Sequence, residues 1–160
     1  ANLSKDDLKT LCLAVPLHDL GKIRISDNIM LKSGSLNKEE MLKVRNHAEI
    51  GYNLLKDSNR PLIKAAALIA RDHHECWNGK GYPRGKSGEG IHLFCRITSL
   101  ADAFDAMRTK RSYKEAWPLE KVMQVIVAEK GQQFDPKIVE LLQENIDEIE
   151  NIMQSLPREN

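Results

Sequence analysis

The chain has 160 residues, of which 41% are hydrophobic and 29% are charged, and its formal net charge is +1 at pH 7. These values are typical of one soluble domain with a single core, and so small a charge argues against a nucleic acid polymer or an anionic membrane surface as partner. The apolar runs fall far short of the ~20 residues of a membrane span, so we expect no membrane contact from this segment. Three cysteines without a C-x-x-C pair favour a reducing compartment, and we therefore expect a cytoplasmic location.

Helical periodicity recurs along the chain, and no stretch has the two-residue alternation of a β-strand. Most of the predicted helices begin at a polar cap followed by an acid or at a proline in the first turn. In chain order, the predicted helices span residues 4–17, 37–56, 61–74, 93–107, 117–131 and 136–160. Two long connections, 19–36 and 76–91, separate the first four helices, and connections of that length in a compact domain are usually functional. The sequence predicts an all-α, single-domain bundle of about six helices.

The last predicted helix, residues 136–160, carries an apolar stripe at three- and four-residue spacing. The stripe includes Ile138, Leu141, Leu142, Ile149, Ile152 and Leu156. Packing against the bundle is the favoured interpretation. The alternative is a protruding helix that pairs with a second subunit and forms a homodimer.

Four of the five histidines lie where a metal site can collect them. His73 and His74 close an apolar helix, and consecutive helical residues point about 100° apart, so both can reach one site only near a helix end. The alternative is a pair that caps the negative end of the helix dipole. Glu75 is a candidate for orienting one of these imidazoles. His47 lies within a predicted helix, where a single histidine is more often a surface or core residue than a ligand.

His18 and Asp19 lie where the first helix meets a loop, and a carboxylate there can bridge two cations. The alternative is a hydrogen-bond network at a helix end. Gly21 permits a tight turn, and Lys22 then places an ammonium group beside the same point, which suits a phosphate.

Asp102 and Asp105 lie three residues apart in an otherwise apolar helix, so each needs a partner. Arg96 or Arg108 would be the ordinary partner of either acid. Farther along the chain, Arg111 and Lys114 flank a tyrosine and can grip phosphate, although a basic surface run is the alternative. Nitrogen and carboxylate ligands together favour a first-row metal over calcium, and such ions ringed by cations suit phosphate hydrolysis.

These motifs, in this order, resemble the HD-GYP family, a branch of the HD metal-dependent phosphohydrolases. The resemblance extends from about Leu8 to Leu142, and we assign residues 1–160 to one HD-GYP-type domain. It is carried by His18-Asp19-x-Gly21-Lys22, Lys32-Ser-Gly-Ser-Leu36, His47 with Gly51, His73-His74-Glu75, Gly79-x-Gly81-Tyr82-Pro83, Ala101-Asp-Ala-Phe-Asp-Ala106, Arg111-Ser-Tyr-Lys114 and Gly131-x-x-Phe134-Asp135-Pro136. The resemblance implies an HD-type helical bundle that hydrolyses cyclic di-GMP to pGpG or GMP, through a hydroxide held between two metal ions.

The resemblance also implies a role for each matching residue. The metal ligands would be His18, Asp19, His47, His73, His74 and Asp102. Asp19 would bridge two ions, commonly iron or manganese with zinc as the alternative, and Lys22 would face the scissile phosphate as the second catalytic residue. The substrate would be bound by Lys22, Tyr82, Pro83, Arg111 and Lys114.

One feature of the family has no counterpart in this sequence. Family members carry a further histidine on a helix before the His-Asp pair, so we expect the site of His18, Asp19 and Asp102 to lack a ligand in this segment. We also expect an upstream regulatory domain in the full gene product. The alternatives to a cyclic di-GMP hydrolase are an incomplete domain that senses the dinucleotide or docks on a diguanylate cyclase, and an HD phosphohydrolase for another nucleotide.

Overall fold

The structure is a computed structural model that describes residues 3–109 and 115–155. Within these residues the chain forms nine α-helices, three short 3-10 helices and no strand. The α-helices are α1 Lys5–Ala14, α2 Asp27–Met30, α3 Lys38–Arg45, α4 His47–Leu55, α5 Pro61–Asp72, α6 Leu93–Arg108, α7 Leu119–Ala128, α8 Pro136–Glu144 and α9 Ile146–Ser155. The 3-10 helices are Val15–Leu17, Leu20–Arg24 and Gly88–Gly90. The predicted all-α class is confirmed, and none of the helices in the described ranges has the length and apolar character needed to cross a membrane.

The helix count exceeds the prediction partly because two predicted helices are each broken at an asparagine. Asn46 ends α3, and its backbone N–H bonds to the carbonyls of Leu42 and Val44 before α4 begins at His47. Asn145 separates α8 from α9, and its side-chain amide donates to the Leu141 carbonyl at 2.8 Å. The Asn145 side chain thus competes for a backbone carbonyl, which is one way in which asparagine ends helices, whereas Asn46 makes no side-chain cap hydrogen bond.

Part of the C-terminal stripe packs against the bundle. Ile138, Leu142 and Ile149 lie on a core cluster built mainly by α6, α7 and α8, and the neighbouring Ile146 and Met153 widen this contact. Leu141 and Ile152 are exposed. This packing favours the first of the two interpretations of the segment, although Leu156 lies outside the described residues. The homodimer stays a prediction.

Two apolar clusters meet along α6. Phe94 and Cys95, at the start of α6, pack with α1 and α5, whereas Leu100 and Phe104 pack with α7 and α8. Asp102 lies on a partly exposed face of the helix, between Leu100 and Phe104 of the second cluster. Helix α6 therefore links the two cores and presents one acid on that face.

The predicted loop 19–36 contains a 3-10 helix that packs directly on α4. The contact is closest at Gly21, where an added Cβ atom would lie 2.0 Å from the carbonyl oxygen of His47. We predicted that Gly21 serves a tight turn, but it is not among the glycines with positive φ. The residue is instead needed for close approach of two backbones, and that approach brings Asp19 beside the start of α4.

Candidate metal centre

Side chains from four separate elements converge at one point of the fold. Asp19 Oδ1 lies 3.4 Å from His47 Nε2 and 4.0 Å from His73 Nε2. On its other side, His18 Nε2 lies 3.3 Å from Asp19 Oδ2 and 3.8 Å from Asp102 Oδ1. Two sets have ligand atoms that all lie within 4.8 Å of one another: His47, His73 and His74, and His18, Asp19 and His73. The structure therefore brings together all six residues that the resemblance assigned to metal.

The backbone fixes how three of the imidazoles are protonated. The Nδ1 atoms of His18, His47 and His73 lie 2.8, 2.6 and 3.0 Å from the carbonyl oxygens of Val15, Val44 and Ile69. A carbonyl only accepts, so Nδ1 of each ring donates its proton and, in a neutral ring, Nε2 keeps a free lone pair. Metal-binding histidines are typically held by a hydrogen bond of this kind.

Three buried atoms at the point of convergence have no hydrogen-bond partner among the described residues. They are Asp19 Oδ1, His47 Nε2 and His73 Nε2. A buried acceptor without a donor is costly, yet here the Asp19 oxygen faces the His47 nitrogen at 3.4 Å and the His73 nitrogen at 4.0 Å. A divalent cation of the first transition row satisfies such nitrogen and carboxylate donors together. The residues therefore fit a metal ion.

The protonation states suit the same ligand. Burial lowers the pKa of His73 to about 4 and that of His74 to about 2, and it also lowers the pKa of His47. Burial acts to raise the pKa of Asp19, but hydrogen bonds from His18 and Lys22 outweigh it and hold that pKa well below its usual range. At neutral pH the centre thus contains three uncharged imidazoles and a carboxylate.

Lys22 lies at the edge of the centre, with its Nζ 2.5 Å from Asp19 Oδ2. The Asp19 carboxylate consequently has one oxygen directed at His47 and His73. Its other oxygen is shared by Lys22 and His18. An ammonium group in this position can also reach an anion bound beside Asp19.

The two acids of α6 have different environments. Arg96 pairs with Asp135 and Arg108 with Glu150, so these arginines serve other carboxylates. Asp102 faces His18, as described above. Asp105 instead accepts a hydrogen bond from the Thr109 hydroxyl at 3.2 Å and lines an apolar cavity of about 510 Å³ between α6, α8 and α9.

The glycine-rich loop 76–91 covers one side of the centre. The Tyr82 ring stacks on the His74 imidazole, with ring centroids 4.7 Å apart, and burial raises the pKa of Tyr82 to about 12. The guanidinium of Arg45 lies 5.0 Å from the centroid of the Tyr82 ring. The sequence did not single out Arg45, and its position two residues before His47 was the only available signal. Pro83 follows Tyr82 through a cis peptide bond.

The sequence led us to expect a direct contact between Glu75 and an imidazole, but the Glu75 carboxylate is hydrogen-bonded to the backbone instead. It accepts the backbone N–H groups of Arg84 and Lys86 at 2.7 and 2.9 Å. Neighbouring Asp72, which the sequence did not single out, is fully buried and pairs with Arg71 and with the Lys86 ammonium. Arg111 and Lys114, the predicted phosphate-binding pair, lie outside the described residues.

The family model described as HD domain matches residues 1–138. The chain is 43% identical over 150 residues to the cyclic di-GMP phosphodiesterase response regulator RpfG of Xanthomonas campestris. This match covers 94% of this chain and 40% of that protein. The chain is 43% identical over 155 residues to the 3'3'-cGAMP-specific phosphodiesterase 2 of Vibrio cholerae, covering 97% of this chain and 30% of that protein. A cyclic di-GMP phosphodiesterase of Thermotoga maritima is 44% identical over 127 residues, covering 79% of this chain and 34% of that protein.

A crystal structure of a cyclic GMP-AMP-specific phosphodiesterase of V. cholerae, V-cGAP3, superimposes with a TM-score of 0.63 at 25% identity. The match covers 98% of this chain and 45% of that one. The chain thus spans less than half the length of each of these relatives. The fold, the ordered motifs and the matched family model agree, and the chain therefore belongs to the HD domain family, with the motifs of its HD-GYP branch.

Proposed function

We propose that this domain is a metal-dependent phosphodiesterase that hydrolyses cyclic di-GMP to pGpG or GMP. The observation that carries the proposal is the convergence of neutral His47 and His73 nitrogens with the ionised Asp19 carboxylate, each with a buried atom that lacks a hydrogen-bond partner among the described residues. The names of relatives that are 43–44% identical support the same reaction class.

The metal requirement follows from the donor set. His47, His73, His74 and Asp19 would hold one ion, and His18, Asp19 and Asp102 would hold a second, with iron or manganese ahead of zinc. Such ions supply a nucleophile at neutral pH by lowering the pKa of water from about 15.7 to near 7. Asp19 is suited to a shared position because its two oxygens face different histidines.

Lys22 and the 76–91 loop would act on the substrate. The Lys22 ammonium beside Asp19 can offset the negative charge that develops on a phosphoryl oxygen during hydrolysis. Tyr82 and Pro83 would border the substrate at the same side of the centre, and Tyr82 offers an aromatic edge there. Arg111 and Lys114 would hold the substrate phosphates, as their spacing and the family resemblance indicate.

A second candidate substrate is 3'3'-cGAMP, because one of the relatives that is 43% identical is named as specific for it. The remaining alternatives are a domain that binds the dinucleotide without turnover and an HD phosphohydrolase for another nucleotide. A homodimer through the C-terminal helix, a diguanylate cyclase partner and a cytoplasmic location belong to the same proposal.

The test is turnover by protein loaded with Mn²⁺ or Fe²⁺, with cyclic di-GMP, 3'3'-cGAMP and ppGpp offered separately and products resolved by chromatography. We expect pGpG or GMP from cyclic di-GMP, and no product from an Asp19→Asn variant. Binding of cyclic di-GMP without cleavage in both metal forms would favour the sensor alternative. Cleavage of ppGpp alone would overturn the proposed substrate class.

A further inference from the structure

The loop beside the metal centre is held by a buried carboxylate. Glu75 is 2% exposed, and its two oxygens accept the backbone N–H groups of Arg84 and Lys86 at 2.7 and 2.9 Å. An ionised acceptor forms stronger hydrogen bonds than a neutral one, and burial removes the water that would compete for it. Glu75 therefore fixes residues 84–86 of the loop relative to the end of α5.

Residues 81 and 82 of the loop pack against residues 74–76, which follow the end of α5. A Cβ atom on Gly81 would lie 2.3 Å from the Cys76 nitrogen and 2.5 Å from the His74 carbonyl oxygen, so the two backbones are in direct contact. The Tyr82 N–H also donates to the His74 carbonyl at 3.2 Å. The loop thus returns onto residues 74–76 at one end and onto the Glu75 carboxylate at the other.

This arrangement has a consequence for the imidazole of His74. The Tyr82 ring lies parallel to it within 25°, with centroids 4.7 Å apart, and the Arg45 guanidinium lies 5.0 Å from the Tyr82 ring centroid. No side-chain hydrogen bond to His74 is formed by the described residues, in contrast to the backbone carbonyls that hold His18, His47 and His73. The His74 ring also lies 3.9 Å from the His73 ring and 5.1 Å from the His47 ring, centroid to centroid, so Tyr82 is the ring contact that comes from outside the candidate metal ligands.

From this geometry we propose that Glu75 is a positioning residue. It seats the turn of Gly81, Tyr82 and Pro83 so that the Tyr82 ring holds the His74 imidazole with a nitrogen directed at His47 and His73. The inference rests on the proposed function in that it takes His74 to be a metal ligand. Glu75 acts through Tyr82 and touches neither the metal nor the substrate.

The first test is Glu75→Gln, which conserves the size of the side chain. Glutamine keeps one carbonyl oxygen for one N–H group but presents an amide donor to the other, so one end of the loop is released. We expect amide hydrogen exchange to become at least about tenfold faster at whichever of Arg84 and Lys86 loses its acceptor, because a hydrogen bond to a charged group is strong. We also expect Mn²⁺ affinity, measured by calorimetry, to fall about 10- to 100-fold, the range for residues that support metal ligands.

A second variant tests the contact between the Tyr82 ring and the His74 imidazole by itself. Tyr82→Leu removes the stacking partner of His74 but leaves the Glu75 hydrogen bonds in place. We expect the same loss of Mn²⁺ affinity with exchange at residues 84 and 86 unchanged. This variant also keeps the inference testable if Glu75→Gln is too unstable to purify.

The control for a general loss of stability is Val122→Ala, in the apolar cluster that α6, α7 and α8 build. Val122 is fully buried there, and the residues of the cluster lie outside the 76–91 loop. We expect this variant to lower stability while leaving Mn²⁺ affinity and the exchange at residues 84 and 86 as in the wild type. A general stability effect would instead weaken Mn²⁺ binding equally in Val122→Ala and Glu75→Gln, and that result would overturn the inference.

Two further outcomes would overturn it. Unchanged exchange in Glu75→Gln would show that the carboxylate does not hold the loop, and full Mn²⁺ affinity in Tyr82→Leu would show that the ring does not position His74. Failure of the proposed function is distinguishable, because it would be seen as wild-type protein that binds Mn²⁺ and leaves cyclic dinucleotides intact. In that case the effects of the variants on exchange and affinity would still support the positioning role.

Discussion

Asp19 and His47 face each other at 3.4 Å, carboxylate oxygen to imidazole nitrogen, and neither of the two atoms has a hydrogen-bond partner among the described residues. This contact exists because the Leu20–Arg24 segment packs on the start of α4 with Gly21 at the point of closest approach. The candidate metal centre therefore depends on how near two backbones can come.

Gly21→Ala should disrupt this contact. An added Cβ atom would lie 2.0 Å from the His47 carbonyl oxygen, and a backbone atom cannot move aside as a flexible side chain can. We expect a loss of about 3 kcal/mol in the free energy of unfolding, the upper part of the range for overpacking, together with weaker Mn²⁺ binding. Urea denaturation and calorimetry measure the two effects.

Gly90→Ala is the matched control, since nothing lies within 4 Å of its added Cβ atom. It should leave stability and Mn²⁺ affinity near their wild-type values, or raise stability slightly through the unfolded state. Equal stability of the two variants would contradict the close-approach role of Gly21.

The two parts of the centre should bind metal with unequal affinity. His47 and His73 are almost fully buried, whereas the side chains of His18 and Asp102 are 20% and 39% exposed, so water competes more for the second set. In a Mn²⁺ titration followed by electron paramagnetic resonance, His74→Asn should weaken the tighter site more than about tenfold. Asp102→Asn should weaken only the other site, and a loss of the tighter site in this variant would contradict the assignment.

Lys22→Met should reduce turnover without loss of metal. The Lys22 ammonium lies 2.5 Å from Asp19 Oδ2 and competes with a cation for that oxygen, so Mn²⁺ affinity should stay equal or rise. Turnover of cyclic di-GMP should fall about 10- to 100-fold, as expected for a charge-assisted hydrogen bond of about 1.5–3 kcal/mol. Lys9→Met, on the exposed face of α1, removes the same charge elsewhere and should change neither quantity. Loss of metal from Lys22→Met would show that its role lies in the centre itself.

The metal-free protein should become less stable as the pH falls from about 6.5 to about 4. Burial lowers the pKa values of His73 and His74 to about 4 and about 2, and it lowers that of His47 as well. Over this interval these histidines bind protons in the unfolded chain but stay neutral in the folded one, so protonation favours unfolding. His18 acts in the opposite direction, because its hydrogen bond with Asp19 raises its pKa, but three histidines outweigh one.

Urea denaturation of metal-free protein at pH 7 and pH 5 measures this effect. Each histidine that stays neutral when folded contributes up to about 1.4 kcal/mol per pH unit. The free energy of unfolding of His74→Asn should therefore change less between pH 7 and pH 5 than that of the wild type. A wild-type free energy of unfolding that rises on acidification to pH 5 would contradict the burial of neutral imidazoles.

The sequence by itself determined the helical class, most helix starts and which residues are candidates for the metal centre. Helix starts are local, since a cap such as Asn37 with Glu40 acts within one turn. The candidate ligands could be named because side chains of that chemistry fall in an ordered set of motifs. The same local signals did not reveal the breaks at Asn46 and Asn145, because asparagine inside a periodic stretch is compatible with either outcome.

Only the tertiary structure decided what each polar residue near the centre contacts. Periodicity cannot tell that Asp102 faces His18 whereas Asp105 lies beside an apolar cavity, since both acids lie on one helix. It also cannot tell that Glu75 binds the backbone of a loop rather than an imidazole. The reason is physical: the partner of a buried polar group is set by the packing of segments distant in sequence, and the close approach at Gly21 and Gly81 sets that packing here.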